Sequence, residues 1–145
     1  MNLADMIAQS ILSSRSDAII ATDRTGTILF WNAGAEALFG YPAATAVGSS
    51  LDIIIPERLR KAHWKGYRRV MDSGASRYGE GEVLAVPGVR RDGSRISLEF
   101  SIAFLRNADG STAGLVAVLR DVTRRYEELR ALRRRLKPSD AHSAH

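Results

Sequence analysis

Apolar positions along this chain switch between a period of two and a helical period, and the switches mark its elements. Asp17 to Asp23 (D-A-I-I-A-T-D) and Thr27 to Trp31 (T-I-L-F-W) are apolar, β-branched runs separated by Arg24-Thr25-Gly26. That pattern predicts a hairpin closed by a tight glycine turn. From Trp31 the period becomes helical: Ala35, Leu38 and Phe39 share one face, and Gly40 supplies the left-handed residue that ends the helix. Asn32 stands at the junction, where an asparagine side chain ties a strand end to the next helix by satisfying neighbouring backbone groups. Ahead of the hairpin, Leu3, Met6, Ile7 and Ile11 recur at helical spacing. They predict an amphipathic helix over residues 1–14, outside the core, whose stripe needs the sheet's outer face or a second subunit as cover.

Pro42 and Gly48 bracket a short helical piece, and the apolar run Leu51 to Ile55 leads into a longer helix with Pro56 in its first turn, ending near Met71 before Gly74. Glu82 to Val89 reads as a strand in which Pro87-Gly88 predicts a bulge or an edge irregularity. Ile96, Leu98, Phe100, Ile102 and Phe104 then alternate with polar or small residues. A turn at Asn107-Ala108-Asp109-Gly110 leads to Thr112–Leu119, which is apolar on both faces and so needs cover on both. The last helix starts near Asp121 and Thr123, either of which can cap it. Val122, Leu129 and Leu136 are spaced by seven, with Leu132 at a second seam position, as in a short parallel coiled coil over 122–137. Residues 138–145, polar and ending a stretch with Pro138, are expected to be disordered.

Composition narrows the chemistry. A length of 145 residues suits one domain with short extensions. No apolar run reaches membrane-spanning length and Met1 to Met6 lack a signal-peptide pattern, so a cytoplasmic location without membrane contact is expected. The absence of cysteine excludes disulfides, thiolate metal sites and any cysteine-linked chromophore. Much of the net charge of +5 lies in the tail, at Arg120, Arg124, Arg125, Arg130, Arg133, Arg134, Arg135 and Lys137. Arginines surrounding an apolar seam read as the solvated face of a coiled coil, so nucleic acid is not expected as a partner.

Four motifs in order carry a resemblance. G-T-I-L-F-W-N followed by A-E-A-L-F-G-Y, then Ile54-Ile55-Pro56-Glu57, Arg91-Asp92-Gly93-Ser94 and Arg120-Asp121-Val122-Thr123, are similar to the conserved blocks of the PAS domain over Ser16 to Thr123. The resemblance implies an α+β fold: a five-stranded antiparallel sheet with helices on one face, the PAS domain spanning 15–121 between the N-terminal helix and the C-terminal signalling helix.

His63 is the sharpest candidate for chemistry. It shares a helix face with Leu59, Tyr67 and Val70. In PAS domains that bind haem, the iron ligand is a histidine seven residues after the proline of the P-E pair, a spacing that Pro56-Glu57 and His63 reproduce. Arg69 falls where such sensors place an arginine near a propionate. The position of their oxygen-binding arginine is occupied here by Leu84, which suits carbon monoxide or nitric oxide better than oxygen. Haem b is therefore one cofactor reading; a flavin or another small molecule is a second, in an apolar cavity lined by Phe100, Ile102, Leu115 and Ala117 with His63, Trp64 or Tyr67 as polar contacts. A core filled by side chains alone stays open, since cavity volume is not written in a sequence.

The resemblance also implies a role for Asp121 and Thr123, which would couple the last strand to the output helix. The expected function is a sensory or interaction module of bacterial-type signal transduction, including two-component systems. It would act as a homodimer and pass pocket occupancy through sheet and helix to an effector in cis or in trans; a ligand-free dimerisation module is the plainer alternative. An enzyme is not expected, because no nucleophile with an orienting partner is present.

Overall fold

The computed structural model describes residues 1–74 and 84–136. Five strands form one antiparallel sheet in the order β2-β1-β5-β4-β3: β1 (Ala18–Asp23), β2 (Ile28–Trp31), β3 (Leu84–Val89), β4 (Arg95–Arg106) and β5 (Thr112–Asp121). Because β5 lies in the middle of the sheet, both of its edges are paired, which places its apolar residues in the interior. Its inner-face residues Leu115, Ala117 and Leu119 stand opposite Thr22, Ile20 and Ala18 on one side and Phe104, Ile102 and Phe100 on the other. The helices α2 (Ala33–Phe39), α3 (Ala43–Ala46) and α4 (Arg60–Ser73) contribute Phe39, Ala46, Tyr67 and Met71 to the same core.

The first hairpin carries an irregularity with a packing reason. Ala21 pairs with Phe30 but Thr22 pairs with Ile28, so Leu29 is an extra residue in β2. A plain alternation would place Ile28 and Trp31 on opposite faces. The added residue lets both enter the core, at 1% and 4% exposure, while Leu29 and Phe30 face outward.

At the end of β2 the buried carboxamide of Asn32 uses all its bonding capacity. Its oxygen accepts from the amides of Ile19 (2.8 Å) and Ala35 (2.9 Å), and its nitrogen donates to the carbonyls of Ser14 and Asp17 (both 3.1 Å). One side chain thus caps α2, closes β1 and holds the linker leading into β1. Gly34 brings α2 against that linker, since a Cβ there would lie 2.0 Å from the Asp17 carbonyl oxygen. The helix α1 (Leu3–Leu12) precedes the linker and is capped by Asn2, yet none of its residues is buried.

Three expectations need correction. The longer helix begins at Arg60, and Pro56 precedes it by a 3-10 turn over Glu57–Leu59. Ile55, held extended by the following proline, interrupts the run from Leu51. No bulge occurs at Pro87-Gly88; both pair in register with Ser97 and Ile96. β3 is an edge strand, where a missing amide is tolerated, and Gly88 has a Leu98 methyl 2.6 Å from where its Cβ would be. Neither Asp121 nor Thr123 is the N-cap of α5 (Thr123–Arg135); Val122 is, without a side-chain cap bond. Glu82, Val83 and the expected tail Lys137 to His145 lie outside the described residues.

The Asn32 network predicts that Asn32→Ala lowers unfolding stability by about 3 kcal/mol, because it strands the buried amides of Ile19 and Ala35 and takes a donor from the carbonyls of Ser14 and Asp17. Leu29→Ala, on the exposed side of the same strand, should cost under about 1 kcal/mol. Denaturant titration of both variants checks the contrast.

Candidate functional site

The helix α4 is fastened to the end of the first hairpin at several points along its length. The Trp64 ring lies over Gly26, where a Cβ would stand 2.1 Å from ring carbons; φ of +84° reserves that position for glycine independently. The Tyr67 hydroxyl donates to the Asp23 carbonyl (2.5 Å) and so accepts from the Thr22 hydroxyl (2.8 Å). Arg24, from the hairpin turn, donates to the carbonyls of Met71 (3.1 Å) and Thr112 (3.0 Å) and pairs with Asp72. At the other end, Asp52 accepts from the Trp64 indole N–H (2.7 Å), while Arg60 donates to the carbonyls of Ile55 and Asp52.

Against this frame His63 stands out by what it lacks. Its Nδ1 is buried without a hydrogen-bond partner. Its ring meets Trp64 edge-on (4.6 Å between centroids) and Tyr67 at a tilt (5.8 Å). Burial lowers the pKa of the imidazole below its ordinary 6.5, partly opposed by the Asp52 carboxylate. The side chain is therefore neutral at physiological pH and can accept a hydrogen bond or ligate a metal at one nitrogen. Burial also pushes the Tyr67 hydroxyl up, with the nearby Thr22 bond acting against it.

The predicted site residues separate into those gathered and those not. Phe100, Ile102, Leu115 and Ala117 lie on one sheet face in the apolar cluster that also contains Trp64 and Tyr67. The polar atoms of Trp64 and Tyr67 are committed to Asp52, Asp23 and Thr22, which leaves His63 as the group with an unspent atom. Arg69 is on the exposed side of α4, and Leu84 opens β3 opposite Phe100.

Asp121 and Thr123 form a second constellation, at the exit from the sheet. Asp121 Oδ1 accepts from the Thr123 amide (2.9 Å) and hydroxyl (2.5 Å), while Oδ2 pairs with Arg90 (2.9 Å). The Thr123 oxygen accepts from the Ser97 amide (2.9 Å), and the Val122 amide donates to the Ser97 carbonyl (2.8 Å). Arg125, one turn on, reaches Glu99 of β4 (2.5 Å). The start of α5 is thus tied to β4 and β5 together. Its seam beyond is bare: Leu129, Leu132 and Leu136 are 44%, 48% and 72% exposed.

Sequence reasoning missed Arg24, Asp52, Ser97, Arg90 and Glu99, whose roles depend on partners distant in the chain. Only Gly26, already assigned to a turn, carried a local signal. Among the described residues no group of three or more His, Asp or Glu side chains is placed to hold a metal ion, and no helix is long and apolar enough to cross a membrane.

A five-stranded antiparallel sheet with helices on one face and a helix leaving the last strand define the class of the fold as α+β. The sequence matches the PAS fold over residues 12–127, and the chain belongs to that family. It is 30% identical over 122 residues to the oxygen sensor protein DosP of Escherichia coli K12, covering 84% of this chain and 15% of DosP. Over 124 residues it is 32% identical to the sensor protein FixL of Bradyrhizobium diazoefficiens, covering 79% of this chain and 22% of FixL. The chain thus spans less than a quarter of either sensor. The fold also superimposes on the PAS domain of a Colwellia psychrerythraea protein with a TM-score of 0.72, at 20% identity over 85% of this chain and 99% of that one.

The His63 environment predicts a pH dependence. Below 6.5, the ordinary value for histidine, the unfolded chain takes up a proton that the folded chain resists. The stability contribution is full above that pH and falls as pH drops toward the lowered folded-state pKa. Thermal unfolding followed from about pH 7.5 to about pH 5 should show this loss, and His63→Gln should flatten it. An unchanged profile in the variant would refute the assignment to His63.

Proposed function

We propose that this chain is the sensory module of a larger signal-transduction protein, in which a small molecule between α4 and the inner sheet face biases the sheet and α5 carries the change to an effector. The observation that carries this reading is the Asp121–Thr123–Ser97 knot. It ties the start of α5 to two strands of the sheet that forms one wall of the pocket, while leaving the rest of the helix unsupported. A displacement of β4 against β5 must then alter the angle or rotation of α5, a two-state element of the kind a ligand can bias. The names of DosP and FixL, both sensors far longer than this chain, support an effector elsewhere in the protein.

The exposed leucines of α5 and the uncovered stripe of α1, with Leu3 70% and Ile7 50% exposed, support a homodimer in which both helices gain cover. Sedimentation of Leu129→Asp combined with Leu136→Asp should shift a wild-type dimer to monomer without loss of helical signal from the domain. A dimer that survives this change would remove α5 from the interface.

A second reading is favoured by the orphaned Nδ1 of His63. The residues present fit a haem in two respects: a neutral imidazole with an unspent atom, and an apolar wall from Phe100, Ile102, Leu115 and Ala117. His63 would be the axial ligand, and haem would supply an iron that takes up a diatomic gas or changes oxidation state. Trp64 and Tyr67, fixed by Asp52, Asp23 and Thr22, would hold the imidazole in place, and Arg69 would meet a propionate only at the solvent edge. The DosP name, an oxygen sensor, adds to this reading, while Leu84 in place of a polar group argues for a ligand that needs no hydrogen bond.

An absorption spectrum of the full chain with haem added decides between the two. An intense Soret band that is lost in His63→Ala is the outcome expected for a haem sensor. A spectrum without such a band, or a band indifferent to His63, overturns that reading; a featureless spectrum removes flavin as well and leaves a colourless ligand, to be sought by mass spectrometry of extracts.

A further inference from the structure

The helix α4 carries a set of cations at helical spacing on one face. Lys61, Lys65, Arg68 and Arg69 are all exposed on the side of α4 turned away from Tyr67 and Met71, with Arg58 one turn ahead. None of these five has a hydrogen bond or ion pair among the described residues. Five arginines elsewhere are paired, Arg24 with Asp72, Arg90 with Asp121, Arg120 with Asp17, Arg124 with Glu128 and Arg125 with Glu99, whereas Arg15, Arg95 and the last arginines of α5 are not, among the described residues. The nearby carboxylates offer little compensation. Asp72 is held by Arg24 and Asp52 by Trp64 and Arg60, and among the described residues near α4 only Glu57 is exposed without a partner. At the rise of an α-helix, Lys61 and Arg69 are about 12 Å apart along the axis, so the cations form a short straight row.

The character of this row selects its partner. Protein interfaces deplete lysine at their centres and surround apolar anchors, and this face shows no exposed apolar side chain other than Ala62. Helices that lie on lipid insert an apolar flank beside the basic one, whereas the apolar flank of α4 is buried under the sheet. A nucleic-acid strand asks only for a row of cations facing its phosphates. We propose that the outer face of α4 binds the phosphate backbone of a nucleic-acid strand through Lys61, Lys65, Arg68 and Arg69. This surface is distinct from the arginines of α5, which flank an apolar seam. It places the polyanion on the helix whose opposite side carries His63.

Fluorescence anisotropy of a labelled 20-nucleotide single strand with the full chain, titrated with salt, tests the assignment. Four phosphate contacts give a log–log salt slope of about −2.8, roughly a fiftyfold loss of affinity between about 50 and 200 mM salt. Lys65→Gln with Arg69→Gln should halve the slope to about −1.4 and reduce that loss to roughly sevenfold. Arg133→Gln with Arg134→Gln should leave the slope unchanged, and circular dichroism verifies the fold of both variants. Absence of binding at low salt overturns the proposal. So does a slope that follows the α5 substitutions instead of those in α4, or binding to phosphatidylserine vesicles without binding to the oligonucleotide.

Discussion

The position of α4 rests on its attachment to the end of the first hairpin, and the candidate site depends on that attachment. An amphipathic helix over an apolar sheet can slide or roll at small cost, because dispersion contacts are many and non-directional. Directional bonds remove that freedom: the Tyr67 hydroxyl on the Asp23 carbonyl, the Trp64 indole N–H on Asp52, and Arg24 on the Met71 carbonyl. Arg106 adds a bond to the Gly74 carbonyl at the helix end (3.1 Å). The helix is held at both ends and its middle, so His63 is presented from a rigid support.

This anchoring divides the labour among the aromatic residues of the site. Trp64 and Tyr67 spend their polar atoms on the scaffold, and each orients a ring against His63. His63 keeps one buried nitrogen unpaired, a cost that a protein interior rarely leaves standing without a use. Because burial holds the ring neutral, that atom is available to a ligand at physiological pH.

The exit from the sheet follows a different logic. There the charged and hydroxyl groups of Asp121, Thr123, Ser97, Arg90 and Glu99 are partly solvated and individually weak. Their joint effect is geometric: the first turn of α5 cannot reorient without disturbing β4 and β5. The helix α4 is bonded to the first hairpin and α5 to β4 and β5, and all of these strands belong to one sheet.

Local pattern determined most of the architecture. The hairpin, the helix from Asn32 to Gly40, the alternation of β4 and the two-sided character of β5 follow from residue spacing, because burial imposes periods of two and 3.6 on any covered element. Asn32 and Gly40 were legible because caps and left-handed residues act within a few positions. The start of α4 was misread since Pro56 suits either a first helical turn or the turn before it, and the extended Ile55 decided between them. Pro87-Gly88 left a bulge and an edge position both open, and only the strand order placed β3 at the edge with its register intact. His63 was found from helix-face spacing and family resemblance, but its orphaned nitrogen depends on Asp52, Asp23 and Thr22 taking the polar atoms of its neighbours. The sequence by itself determined the elements and the candidate ligand; only the tertiary structure decided which polar atoms were already spent and which cations of α4 stood together unpaired, since both depend on partners that the chain brings close only by folding.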